Sequence, residues 1–506
     1  MKGSPRLMRE VSGLIELAGQ VYADHAPASA VVDDLRQRLG EPLRVAVAGR
    51  IKTGKSTLLN ALVGEPLAAS HVIECTRLVT WYRYGPSYRA FVQRAGQAPE
   101  RAALARQASH VDVSLGEGGE GGVDRVIIEW PADRLRRMTM IDTPGLASLT
   151  SDVRARTTAL LVGSDAPAVD AVIYVTGHIH PGDVAFLEAL RDDDIGEPAD
   201  PSSLIVLGRA DEIGAARSDA MDIARRIADR YRADRRIARF GSDVVAVASL
   251  LAFGAGGLTE TDFRHLAALS GSSPAVRERL LRSADDFVST GPGAGSPADA
   301  IPPLSTRRTL VDELGLFGIR LSCELILKGT ARTASELARQ LTEASGLDHL
   351  RRLLDEQFTD RADLLKAERS IAALRTLGAT VAAPGRDRLV HELERIEAGA
   401  HEVQEHRLLR AIRSGTVELA ESDVAEITAL MTTSHASAVA KLGWEGAVPD
   451  EQIRAEVIRR AERWRTRAFT LSSVADLDWV AETAARSYEG MLLALMAPRR
   501  PGDRSI

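Results

Sequence analysis

The sequence predicts an α/β phosphate-loop head, a mostly parallel sheet with helices on both faces, joined to a long α-helical bundle stalk built from N-terminal and C-terminal helices. Three observations predict it. Gly49-Arg50-Ile51-Lys52-Thr53-Gly54-Lys55-Ser56-Thr57 fits the pattern G-x-x-x-x-G-K-[ST] without a mismatch, and it stands between an apolar strand-like run and a helical pattern. Across residues 43–251 short apolar runs alternate with helical patterns, as in a parallel sheet. Beyond residue 252 apolar residues recur at helical spacing almost to the end. The boundaries that follow are 1–40 for N-terminal helices packing on the stalk, 41–255 for the head, 256–306 for a helix and a Pro/Gly-rich hinge, and 307–506 for the bundle.

Composition narrows the function classes. The 506 residues are 45% apolar, ample for two or three cores. A net charge of −6 gives no footprint for nucleic acid. Only six lysines occur, and two of them, Lys52 and Lys55, lie in the phosphate loop. A chain that otherwise uses arginine places a compact ammonium there, a different shape from a guanidinium fork. Two cysteines, Cys75 and Cys323, give no disulfide framework. With no leader-like start and no run of about 18 apolar residues, the expectation is a cytoplasmic protein.

Taken in order, residues 7–40 read as two helices, with Val11, Leu14, Ile15 and Ala18 on one face and Val32 and Leu35 on the next; His25, Pro27 and Ser29 mark the break. The run Leu43-Arg44-Val45-Ala46-Val47-Ala48 is the first strand. In the loop after it, successive backbone N–H groups and the positive end of the helix dipole suit a β-phosphate. Gly49 and Gly54 permit close approach and positive φ. Lys55 supplies charge to the β- and γ-phosphates, Ser56 offers a hydroxyl to Mg²⁺, and Thr53 and Thr57 complete the nucleotide-binding stretch. In the polar loop before strand 78–84, Thr76 stands about 20 residues beyond the lysine, where a second Mg²⁺ hydroxyl is expected.

Residues 95–123 read as a loose excursion with some helix. After the strand Val126-Ile127-Ile128-Glu129-Trp130 comes Met138-Thr139-Met140-Ile141-Asp142-Thr143-Pro144-Gly145. An aspartate that ends an apolar strand before T-P-G is suited to hold Mg²⁺ through a water, and the Gly145 N–H to sense the γ-phosphate. Two further buried strands, 169–175 and 203–207, follow. The second enters Gly208-Arg209-Ala210-Asp211, where guanine-specific proteins carry [NT]-K-x-D. Asp211 alone matches literally, as reader of the guanine N1–H and 2-amino group; Arg209 replaces the flat lysine stem, and Gly208 lacks a side chain. The last strand, 244–249, ends at Ser249, where a base-contacting loop is expected. His178 and His180 read as a plain loop rather than a metal pair, and His401 and His406 as a solvated helix face.

Residues 260–288 read as helix and 289–305 as a linker. In the helical pattern beyond, Gly315, Gly318 and Gly329 stand among Leu310, Leu314, Phe317, Leu321 and Leu325. Each interior glycine costs a helix about 1 kcal/mol relative to alanine, so the three point to bends or close packing.

On these motifs the chain resembles the bacterial dynamin-like GTPases, and among them the isoniazid-inducible IniC type. The stretches that carry the likeness are the phosphate loop with Glu41-Pro42 before it, Glu74-Cys75-Thr76-Arg77, Asp142-Thr143-Pro144-Gly145, Arg209-Ala210-Asp211-Glu212-Ile213-Gly214 and Gly315-Leu316-Phe317-Gly318-Ile319-Arg320. The resemblance implies GTP as substrate, Mg²⁺ as cofactor, self-association or a paralogous partner, and peripheral action at the inner face of the cell membrane. Dynamins recruit a monovalent cation through a serine at the fourth loop position. Here Lys52 stands there, either supplying that charge itself or pointing into solvent. Lys52, Lys55, Thr76 and Gly145 are therefore the candidate catalytic groups, and Ser56, Thr76 and Asp142 the metal set. Leu146, unlike a glutamine, cannot orient water, so help must come from elsewhere, such as a second head. Residues 377–384 and 431–444 are the candidate membrane or partner tips, yet residues 307–506 carry 29 basic and 31 acidic side chains and no polybasic footprint. Two alternatives stay open: a partner subunit of a hetero-oligomer with slow hydrolysis and no membrane insertion, and a soluble regulatory GTPase of the ribosome-assembly kind.

Overall fold

The computed structural model describes residues 5–68, 78–94, 96–106, 111–115, 119, 122–144, 169–189, 202–238, 240, 243–289, 301–414, 417, 419–432, 437–470 and 475–496. The chain forms two compact units. One is Pro42–Asp234 with Gly241–Thr359; the other is Met1–Glu41, Arg235–Phe240 and Asp360–Ile506.

The first unit holds the sheet. Its strands are β1 (Leu43–Gly49), β2 (Thr80–Tyr84), β3 (Arg89–Arg94), β4 (Glu100–Ala102), β5 (Leu104–Arg106), β6 (Val111–Val113), β7 (Val123–Trp130), β8 (Met138–Asp142), β9 (Ala171–Thr176), β10 (Ser202–Gly208) and β11 (Val244–Val247). Nine of them make one sheet in the order β11-β10-β9-β1-β8-β2-β7-β3-β4. From β11 to β8 every pairing is parallel. The β2–β8, β3–β7 and β3–β4 pairings are antiparallel, while β2 and β7 run parallel. Every residue of β1 is buried, as covered parallel strands require. Helix Lys55–Val63 packs on β1 and β8, and helix Ala220–Ala233 on β11.

The excursion after residue 95 differs from its reading. Its described residues form extended β4, β5 and β6, with β4 closing the sheet edge on β3 and β5 pairing with β6. Runs of three residues are too short for a period of two to show in sequence, so the pairing partner decides their conformation.

Helices Ser249–Gly257, Glu260–Gly271, Leu304–Leu327, Ala334–Ala344 and Leu347–Gln357 belong to the same unit as the sheet. The three helical glycines have three different jobs. Gly315 breaks helix Leu304–Leu327 with φ 66° and ψ 171°, a region open essentially to glycine alone. Gly318 allows close packing, since a β-carbon there would lie 2.7 Å from Leu251 Cδ1. Gly329, at φ 68°, follows the helix end.

In the second unit the N-terminal helices pack on helices from the C-terminal part of the chain, as the bundle expectation requires. Helix Pro5–Val21 packs on Ala362–Thr380 and Arg386–Gly399, and Ala26–Gly40 packs on Ala362–Thr380. Leu7, Val11, Leu14, Ile15 and Ala18 form the buried stripe. His25 caps the second helix, its Nδ1 accepting from Ala28 N at 3.2 Å. Further along, Trp464, Tyr488, Ile427, Val457 and Leu408 centre a second apolar cluster. Within it Glu426 accepts from Trp464 Nε1 and Tyr488 OH, each at 2.9 Å.

The solvated-face reading of His406 is corrected. It is buried, with Nδ1 2.8 Å from both carboxylate oxygens of Glu368. His401, half-buried, lies 3.0 Å from Ser487 Oγ through Nε2. Both partners come from distant helices, so spacing along one helix could not reveal them.

Candidate functional site

Among the described residues, the carboxyl ends of β1, β8, β10 and β11 carry the expected groups at one end of the parallel strands. Strand order reverses around β1, with the next core strand in sequence on one side and later ones on the other, which opens a crevice at that end. Gly49 ends β1 with φ 143°, and a β-carbon on it would lie 2.0 Å from Val175 O. No other residue fits. Gly54 heads helix Lys55–Val63 in the left-handed region, at φ 91°. The first helical turn leaves backbone N–H groups without intrahelical partners, and these point toward the loop.

Lys55 is mostly buried and donates from Nζ to Arg50 O at 2.9 Å. Thr53 Oγ1 donates to the same carbonyl at 2.8 Å. Burial lowers the Lys55 pKa, and the Asp142 carboxylate partly restores it. The parallel register pairs Val47 with Asp142, which sets that carboxylate beside the loop. Ser56 Oγ donates to Asp142 Oδ2 at 3.3 Å. Burial pushes Asp142 up to about 6, against the pull of Lys55 and Ser56. Thr57 follows in the same helical turn. Ser56 and Asp142 thus present hard oxygen donors side by side, a pair that fits Mg²⁺, which keeps several waters and uses few protein ligands. Thr76 and Gly145 lie outside the described residues.

Lys52 is exposed, with φ 63°. Its carbonyl accepts from Arg209 Nη1 at 3.1 Å. Arg209, also left-handed, donates from Nε to Glu212 Oε1 at 2.7 Å. Gly208 has a reason that the sequence hid: a β-carbon there would lie 2.4 Å from Thr53 O and 2.9 Å from Val175 Cγ1. Asp211 is 5% exposed, and burial chiefly, with Glu212, pushes its pKa up to about 6, while a bond from its own backbone N–H and the Arg209 charge pull down. Ser249, buried, starts the helix after β11, and its Oγ has no partner.

His178 and His180 stand in the turn after β9, where buried Asp183 accepts from His180 N at 2.8 Å and Tyr174 OH at 2.7 Å. That turn is built by the aspartate.

Sequence reasoning missed the base side's supports. Ala248 N donates to Ser345 O at 2.9 Å, and a β-carbon on Gly346 would lie 2.4 Å from Ala246 O. A β-carbon on Gly315 would lie 3.6 Å from Asp211 Oδ2. These residues sit about a hundred positions downstream, and the only signal was the Gly315-to-Arg320 motif.

The Dynamin family model matches residues 45–194. Isoniazid-induced protein IniC of Mycobacterium tuberculosis is 34% identical over 479 residues, 94% of this chain and 95% of its own length. Isoniazid-induced protein IniA of the same organism is 34% identical over 148 residues, 28% of this chain and 22% of its own. A bacterial dynamin-like protein of Nostoc punctiforme is 32% identical over 124 residues, 22% of this chain and 17% of its own. Among solved structures, a chain of an oligomerised bacterial dynamin pair aligns over 94% of this chain and 64% of its own length, at 12% identity and a TM-score of 0.31, too slight a likeness to bear on the fold. With the IniC likeness running nearly end to end in both proteins, the chain belongs to the bacterial dynamin-like GTPases of the IniC type.

Proposed function

We propose that the protein binds GTP with Mg²⁺ and hydrolyses it to GDP and phosphate, and that the cycle drives conformational change in membrane remodelling or maintenance. The observation that carries the reading is the Lys55, Ser56 and Asp142 cluster at the ends of β1 and β8 together with buried Asp211 after β10, the two sides being linked by the bond from Arg209 Nη1 to Lys52 O. The loop from Gly49 to Thr57 and the helix start hold the phosphates. Ser56 and Asp142, the latter through a water, would hold Mg²⁺, with Thr76 as a further hydroxyl; bound there, the ion neutralises phosphate charge. Lys55 places its ammonium on the β- and γ-phosphates, and the Gly145 N–H meets the γ-phosphate. Arg209 flanks the base, Asp211 accepts from its N1–H and 2-amino group, and Ser249 lines the same pocket. Lys52, exposed beside the loop, supplies the charge a monovalent cation gives in dynamins; turnover indifferent to K⁺ or Na⁺ supports this, and strong K⁺ dependence refutes it.

Among the described residues no helix is long and apolar enough to cross a membrane, so the membrane role rests on peripheral contact. A second reading, a partner subunit with slow hydrolysis, is favoured by Arg209 in place of the motif's lysine and by the likeness to IniA as well as IniC. The deciding experiment is phosphate release from GTP and ATP by wild type and Lys55→Ala, with and without anionic liposomes. GTP-selective, lipid-stimulated turnover lost in the variant supports the membrane GTPase. Weak turnover indifferent to lipid and to protein concentration supports the partner subunit.

A further inference from the structure

The Gly315-Leu316-Phe317-Gly318-Ile319-Arg320 segment, which the nucleotide motifs do not use, lies against both base-side loops. Just after Asp211 the chain makes a turn in which Gly214, Ala215 and Ala216 are all left-handed, at φ 63°, 60° and 59°. Two of these are alanines, and L-residues do not hold that conformation in succession unless something fixes it. What fixes it is Arg320. Its Nη1 donates to Ala215 O at 3.0 Å and to Ala216 O. Its other face donates to Leu281 O, from Nε at 2.9 Å and also from Nη2, and to Arg282 O at 3.1 Å. A guanidinium has five N–H donors in a rigid plane, so one side chain can tie two separate backbone segments.

The helix that carries Arg320 is itself fixed. Phe317 and Ile319 are buried, and Gly318 packs on Leu251, in the helix that begins at Ser249. Five residues before Arg320, the break at Gly315 brings backbone rather than side chain to the Asp211 carboxylate.

We propose that Arg320 is a positioning residue for base recognition: by clasping the left-handed turn after Asp211, it fixes the carboxylate where it meets the guanine 2-amino group. This rests on the reading of Asp211 as the guanine reader. Arg320 does not touch nucleotide; it acts through the turn. Its loss therefore acts on discrimination between bases more than on phosphate chemistry.

The test uses the full chain and measures binding of GTP, ITP and XTP by calorimetry, with steady-state turnover alongside. ITP lacks the 2-amino group that Asp211 would read. Asp211→Asn, which exchanges an acceptor for a donor, shifts preference from guanine to xanthine if the underlying reading holds; absence of that shift overturns both reading and proposal. Given the shift, Arg320→Gln lowers GTP affinity about tenfold, narrows the GTP-to-ITP ratio, and raises KM by a larger factor than it lowers kcat. In an Asp211→Ala background Arg320→Gln has no further effect on GTP affinity. Adding Ala215→Gly and Ala216→Gly to Arg320→Gln restores part of the ratio, because glycine holds the turn without help. A folded Arg320→Gln with the wild-type GTP-to-ITP ratio overturns the proposal while leaving the reading intact. Should that variant not fold, Arg320→Lys, which keeps the charge but not the fork, is read by the same ratio.

Discussion

Gly208 and Thr53 face each other so closely that a β-carbon on the glycine would stand 2.4 Å from the threonine carbonyl oxygen. Gly208, one of the two positions at which this chain departs from [NT]-K-x-D, is thus held to glycine by the phosphate loop itself. Gly208→Asn, which restores the first position of the motif, is expected to weaken GTP binding roughly tenfold, since overpacking costs about 1–3 kcal/mol. Calorimetric titration checks it; tighter binding would show that the loop yields instead.

Removing the Lys55 ammonium takes charge-assisted bonds from the phosphates. Lys55→Ala is expected to weaken GTP binding by about tenfold to a hundredfold, from roughly 1.5–3 kcal/mol for hydrogen bonds to charged groups. Circular dichroism should stay that of wild type, which separates lost binding from lost fold.

Asp211 has a pKa pushed up to about 6 by burial, above the ordinary carboxylate value near 4. The native chain then holds more protons than the unfolded chain between those values, so this group's contribution to nucleotide-free stability falls as pH rises from about 4 through about 6. Base recognition needs the ionised carboxylate and runs the other way. GTP affinity should fall as pH drops below about 6, approaching a factor of ten per unit from this group, and the fall should be shallower in Asp211→Asn titrated with XTP. Equal slopes in the two proteins would remove Asp211 from the explanation.

Gly315 holds φ 66° and ψ 171°. A side chain there is expected to cost about 1–3 kcal/mol, so Gly315→Ala should lower the thermal midpoint of the sheet unit. An unchanged midpoint would mean that the helix can straighten past Asp211.

Buried His406 pairs with half-buried Glu368 at 2.8 Å in the other unit. Glu368→Ala leaves the buried imidazole nitrogen without its partner, at a cost of about 1–3 kcal/mol. The loss should appear in denaturant unfolding of the helical unit while GTP binding stays at the wild-type value.

Local pattern alone determined the phosphate loop, the strand that ends at Asp142, the alternation that builds a parallel sheet and the two-ended helical bundle. Each rests on spacing within a few residues, where backbone period and side-chain polarity suffice. Spacing also suggested that Gly315, Gly318 and Gly329 mark bends or close contacts, and the structure gives each its own cause. What needed the tertiary structure were relations between residues far apart in the chain. The short strands after residue 95 take their form from pairing partners, and buried His406 is met by Glu368 from another helix. Gly208 is fixed by Thr53, and Arg320 reaches back 104 positions to Ala216. The physical reason is one of range: periodicity reports which face of an element is buried, whereas the groups that meet that face are chosen by the packing of the whole unit.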